Sequence, residues 1–169
     1  MTTDHPDHRI EEPSEQVVLQ QHQISESTRT HSTIIDPEYV DQFILATNAA
    51  AVGSPEQWAR AALEGVAGVM GQIVWRGLLG LRLEWKSAPG QVAHWPIVDR
   101  GDTWVTLGAR SWMLSCNLVI EVDDEHASLA TFIRFERPIG ERVWKTVSAR
   151  HRSLAPSLLR GAWNLRRAT

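Results

Sequence analysis

Residues 91–137 read QVAHWPIVDRGDTWVTLGARSWMLSCNLVIEVDDEHASLATFIRFER, and in this stretch side-chain character changes at every second position. One parity carries Val105, Leu107, Ala109 and Ser111, then Leu118, Ile120 and Val122, then Leu129, Thr131, Ile133 and Phe135. The other carries Trp104, Thr106, Arg110 and Trp112, then Asn117, Val119 and Glu121, then Ala130, Phe132, Arg134 and Glu136. The first set holds no charge and is therefore expected to face the core. Strands are expected over 91–99, 103–112, 115–123 and 127–137, with turns at Arg100-Gly101-Asp102 and at Asp123-Asp124-Glu125-His126. Links this short make an antiparallel meander.

On the C-terminal side, Pro138 opens a helix whose apolar stripe runs Ile139, Val143, Val147, His151, Leu154 and Leu158. Pro156 lies inside it and should bend it, because proline removes the bond to the carbonyl of Arg152. On the N-terminal side, Thr28 to Ile35 alternates loosely and is expected to be the first strand. Asp36-Pro37 then reads as a helix start, with Tyr39, Val40, Phe43 and Ile44 on one helical face. Ser54-Pro55-Glu56-Gln57 repeats that punctuation, and Val69 to Leu83 is expected to be a largely buried helix. The fold class is α+β, in the order strand, two or three helices, antiparallel meander and one long closing helix. That helix is the element long enough to lie across the apolar face of the sheet, and a curved sheet beneath it is expected to leave an internal cavity.

The chain has 169 residues, 43% hydrophobic and 22% charged, and 17 basic against 20 acidic side chains give a formal charge of −3. A single domain of this size needs neither disulfides nor a structural metal to fold. Cys116 is the one cysteine, which excludes an internal disulfide and a multi-cysteine metal centre. The sequence has no apolar run long enough to span a membrane and no hydrophobic signal core, so a cytoplasmic protein is expected. Residues 1–27 hold Asp4, Asp7, Glu11, Glu12, Glu15 and Glu26 against Arg9 and are expected to form a mobile acidic tail ahead of a domain over 28–169. Val17, Val18 and Leu19 could dock as a strand. From Arg134 onward the balance is basic, but no recognised nucleic-acid motif accompanies it, and nucleic-acid binding is not expected.

Four pieces of local text go further. They are Trp75-Arg76-Gly77-Leu78-Leu79-Gly80-Leu81, Gly90-Gln91-Val92-Ala93-His94-Trp95-Pro96-Ile97, Asn117-Leu118-Val119-Ile120-Glu121-Val122, and Val143-Trp144 with His151-Arg152 and Pro156-Ser157-Leu158-Leu159. With the element order, they resemble a bacterial family of uncharacterised domains in the START-like, helix-grip superfamily, which includes polyketide cyclases, aromatases, pollen-allergen proteins and lipid-transfer domains. The resemblance spans about residues 33 to 163. It implies an antiparallel sheet wrapped around the long C-terminal helix. Its pieces are packing patterns rather than a catalytic signature, so it implies fold strongly and function weakly. Some members of that family follow a nicotinamide-binding domain. Here Gly65, Gly68 and Gly71 form GxxGxxG between helical segments rather than GxGxxG after a strand, so no nicotinamide or other cofactor is expected.

Candidate site residues follow from the inward parity and the closing helix. Ser111 and Thr131 are the polar members of the inner face and could orient a ligand, or could bond local backbone. His151 projects from the apolar stripe with Ser148 three residues earlier, a pairing suited to acid–base work, although a core histidine bonded near the Pro156 bend fits equally. Trp95, Trp144 and Val147 are expected to wall the cavity, and Arg76 could reach in to bind an anionic group or snorkel to the surface. The histidines are scattered and no GxSxG occurs, so neither a functional metal nor a serine hydrolase is expected. Three functions fit. One is a cofactor-independent cyclase or related biosynthetic enzyme acting on a polyketide-like chain, one a non-catalytic carrier of a lipid or hydrophobic metabolite, and one a protein-interaction module. Trp104 and Trp112, on the charged parity, suggest a homodimer contact unless the early helices or the tail cover them.

Overall fold

The computed structural model describes residues 17–21, 23–47 and 53–168. Among these residues seven strands are present: β1 Val18–Gln21, β2 Tyr39–Ala46, β3 Gln91–Val92, β4 Trp95–Arg100, β5 Trp104–Arg110, β6 Leu114–Val122 and β7 His126–Phe135. They form one antiparallel sheet in the order β1-β2-β7-β6-β5-β4-β3. The helices are α1 Glu26–Thr30, α2 Pro55–Arg60, α3 Gly68–Gln72 and α4 Pro138–Arg167, with π-helical segments Ala61–Ala67 and Ile73–Leu78 flanking α3. The architecture is α+β, with a long C-terminal helix.

The meander follows the alternation. Cys116 pairs with Ile133, Leu118 with Thr131 and Ile120 with Leu129, so the uncharged parity forms one continuous face. That face belongs to a core shared with Phe43, Leu45, Trp58, Trp144, Leu159 and Trp163. The helix α4 starts at Pro138 and runs through Pro156 for 30 residues without interruption. Its buried residues Trp144, Ser148, Ala155, Leu159, Ala162 and Trp163 recur at spacings that keep one face toward the core.

The expectation that the last helix alone closes the sheet is corrected. The helix α4 packs on β2, β7 and the segment Ala61–Ala67, while α2 packs on β5 and β6. Ser54 caps α2 in a full capping box with Gln57, which aims Trp58, Ala59 and then Ala62 and Leu63 at the sheet. Trp58 is 1% exposed and Trp163 stands 6.3 Å from it, so large rings fill the space between these layers.

The expected order of the first two elements is also corrected. Tyr39–Ala46 is a strand, whereas 28–35 holds the end of α1 and then irregular chain. Asp36 has φ 50°, a left-handed conformation unsuited to the expected N-cap. Phe43 and Leu45 point into the core with Tyr39, and Val40 lies on the other face. The spacing of Tyr39, Val40, Phe43 and Ile44 satisfies a helical face as well as a strand, and pairing with β7 decides the outcome.

Val69 to Leu83 is not a largely buried helix. Val69 is 76% exposed, Met70 63% and Ile73 56%, while Gln72 on the same segment bonds the β3–β4 hairpin. That hairpin turns on Ala93 and His94, both at positive φ, a strained pair for residues with a Cβ. Glu64 accepts the Ala93 N–H at 2.9 Å and Gln72 donates to its carbonyl at 2.8 Å, holding the turn.

The sheet's second face is not left to water. Ile24 and Ile34 cover Val119, Ala130 and Phe132. Asn117 Oδ1 accepts from the Thr33 N–H and hydroxyl, and Glu121 accepts from Thr28 at 2.8 Å with His31 Nδ1 at 2.8 Å. The domain boundary drawn at residue 27 falls inside this covering: β1 pairs with β2, and α1 spans the expected junction. Residues 1–16 of the expected tail lie outside the described residues. No described helix is long and apolar enough to cross a membrane.

Candidate functional site

The two layers meet in a polar cluster at Asp41, Thr131 and His151. Asp41 on β2 and Thr131 on β7 are directly opposed in the sheet, so both side chains rise from neighbouring positions on the inner face. Above them α4 lowers His151, whose Nε2 lies 3.1 Å from Asp41 Oδ2, 3.4 Å from Asp41 Oδ1 and 3.2 Å from Thr131 Oγ1. The Asp41 side chain is 3% exposed and that of His151 22%, so the carboxylate is enclosed and the imidazole reaches the rim.

Tyr39, two residues before Asp41 and on the same face, donates its hydroxyl to Asp41 Oδ2 at 2.6 Å. Burial first, and then the hydrogen bond and charge of Asp41, push the Tyr39 phenol well above its ordinary range, while Arg152 pulls the other way. The phenol therefore stays protonated as a donor. Trp144 packs edge-on to Tyr39 with centroids 5.0 Å apart and lies 5.2 Å from the His151 ring. Its buried indole N–H has no hydrogen-bond partner among the described residues.

The chemistry of the cluster follows from its donors and acceptors. A proton on His151 Nε2 lets both Asp41 and Thr131 accept and leaves Nδ1 as the basic atom. A carboxylate at this distance fixes the orientation and tautomer of the imidazole.

No family model, curated protein or solved structure gives a significant match to this chain. His151, Thr131 and Trp144 come together as neighbours, and Val147 packs against the same core. Ser148 does not join them: its hydroxyl donates to the carbonyl of Lys145 within its own helix. Ser111 accepts from the Met113 and Leu114 N–H groups, and so builds the β5–β6 turn rather than facing a ligand. Trp95 is 1% exposed and stacks edge-on to Trp75, away from the cluster on β4.

Arg76 does not enter the space under α4. It donates to Gln72, to the carbonyl of Leu83 and to the carbonyl of Glu84, and its guanidinium lies 4.8 Å from the Trp85 ring centre. Trp104 and Trp112 do not form a joint surface anchor. His31 stacks on Trp104 at 4.2 Å, whereas Trp112 sits in the β5–β6 turn, 56% exposed, with Arg137 over its ring. Asp41 and Tyr39 were hidden by the helical reading of 36–44. The alternation Tyr39, Asp41, Phe43, Leu45 was the signal that could have found them.

Surface clefts of about 510, 800 and 370 Å³ lie beside the β3–β4 hairpin, beside β1 and α1, and on the outer face near Arg110 and Arg134. None of these three is lined by Thr131, Trp144, Val147 or His151. Among the described residues no group of three or more His, Cys, Asp or Glu is placed to hold a metal ion.

Proposed function

We propose that this chain is a START-like, helix-grip domain that binds an apolar, carbonyl-bearing small molecule at the junction of α4 with β2 and β7. In this reading it acts there as a cofactor-independent acid–base enzyme of the cyclase type. The observation that carries the reading is the enclosed Asp41 carboxylate, held by Tyr39 and opposed to His151 beside Thr131 on a largely apolar face. The sheet, the intervening helices and the long C-terminal helix are compatible with that superfamily.

The groups fit a simple sequence of proton transfers. His151 Nδ1 takes a proton from carbon next to a substrate carbonyl, and the imidazolium is stabilised by Asp41. The Trp144 N–H donates to the carbonyl oxygen as negative charge develops there. The enolate carbon then bonds to a second carbonyl carbon of the same chain, and the proton on His151 returns to the new alkoxide. Holding a flexible chain in that conformation supplies part of the rate.

The test is to incubate the protein with extracted cell metabolites and analyse both bound and released compounds by mass spectrometry. The wild type should release a compound chemically altered from the one it binds. Asp41→Asn and His151→Gln should bind the same compound and convert it roughly a hundredfold more slowly. A bound compound that all three proteins return unchanged identifies a carrier, and the absence of any bound compound overturns the proposal.

A further inference from the structure

The helical stretch from Gly65 to Leu78 turns apolar side chains toward solvent along its whole length. Val66, Val69, Met70 and Ile73 are all exposed, while its polar residues, Gln72 and Arg76, are both turned onto the hairpin and the loop beyond. At one end this ridge abuts the C-terminal part of α4: Gly161 lies against Val66, and Gly65 against Leu165. At the other end Arg76 clamps the loop that carries Trp85, which is 86% exposed.

Charge decides what such a ridge can meet. The C-terminal end of α4 carries Arg160, Arg166 and Arg167 and no acid, while at the other end Lys145 pairs with Glu141. Lys86 adds an exposed cation beside Trp85. Of the nearby acids, Glu56 and Glu64 are both paired with Arg60, and Glu84 adjoins Trp85. A negatively charged surface meets the same cations favourably, and a lipid surface also accepts the apolar side chains and an interfacial indole.

We infer that the ridge Val66–Ile73, with Trp85 and the basic end of α4, docks the protein on anionic lipid surfaces. Val69, Met70 and Ile73 enter the boundary between headgroups and acyl chains, Trp85 lies at headgroup level, and the cations engage lipid phosphates. The docking is peripheral and does not depend on the reading of the site at His151.

The experiment is co-sedimentation of the full chain with phosphatidylcholine vesicles, with and without phosphatidylglycerol. The anionic lipid should raise the bound fraction roughly tenfold at low salt, and added salt should reverse the gain. Tryptophan emission should shift to the blue on binding, a shift reduced in Trp85→Phe. The double variant Met70→Asp, Ile73→Asp changes only exposed positions, so it should keep the wild-type melting temperature and lose vesicle binding, and Val69→Glu should behave alike. Equal binding to both kinds of vesicle, or undiminished binding by these variants, overturns the inference. A wild-type dimer in sedimentation that the Asp variant converts to monomer, without vesicle binding, assigns the face to a second copy and overturns it as well.

Discussion

Asp41 and His151 stand 110 residues apart in the chain and 3.1 Å apart in space, joining the second strand of the sheet to the helix that covers it. The pair is enclosed on the carboxylate side, so its two members depend on each other. Replacing either one leaves the remaining group short of a partner in a site from which water is largely excluded. Asp41→Asn and His151→Gln should each lower stability by about 1–3 kcal/mol. The double variant should lose less than the sum, by about 1 kcal/mol, as expected for side chains in direct contact. Chemical denaturation of the four proteins measures this, and strict additivity would count against a coupled pair.

Tyr39 is the one tyrosine of the chain, so its ionisation can be followed without interference from another phenol. Its raised folded-state pKa fixes the sign of the pH effect. The unfolded phenol loses its proton near pH 10, and the folded one holds it to higher pH. The stabilisation is complete below about pH 10 and is lost as pH rises from there toward the folded value. Ultraviolet difference spectra should show no tyrosinate at about pH 10, with the signal appearing only as the protein unfolds. A free titration at the ordinary value in folded protein would remove Tyr39 from its contact with Asp41.

Cys116 is buried on β6, and burial, followed by the charge of Asp41, pushes its thiol up beyond the ordinary cysteine range. Thiolate is the reactive form, so a disulfide reagent should label native protein only through openings of the sheet. Labelling should be slow at neutral pH and accelerate with denaturant in parallel with unfolding. Rapid reaction of the native protein would mean that β6 opens independently of the rest.

Two glycines should respond in opposite directions. A Cβ at Gly140 would run into the carbonyl oxygen of Met113, at the place where α4 begins against the β5–β6 turn. Gly140→Ala should therefore destabilise by about 2 kcal/mol or more, since backbone cannot easily give way. At Gly77 an added Cβ meets nothing within 4 Å. Gly77→Ala should be neutral or stabilising by roughly 0.5 kcal/mol through reduced freedom of the unfolded chain. Thermal unfolding separates the two cases.

The sequence was most legible where one physical rule acted alone. Along residues 103–137 one parity carries no charge, and the strands formed there differ from expectation only at their ends. Pro138 marks the true start of α4. The segment 36–46 is not legible as a strand, because its apolar spacing suits two periods at once and because Asp41 faces inward, where alternation leads one to expect an apolar residue. That segment holds the two residues, Tyr39 and Asp41, that give His151 its setting. Val69 to Leu83 is ambiguous for a different reason. Apolar content there reports attraction to some surface, and nothing in the spacing tells a core from an external one.

The pairing of β2 with β7 has a consequence in time. Tyr39 meets Ile133 and Asp41 meets Thr131 across the sheet, while Thr28 reaches Glu121 over a separation of 93 residues. At the usual pace of synthesis, β2 waits roughly 5–20 seconds on the ribosome before its partner strand exists. Phe43 and Leu45 have no sheet to bury them during that interval, and closing so long a loop is slow in itself. The Asp41–His151 pair can form only after residue 151 has left the tunnel.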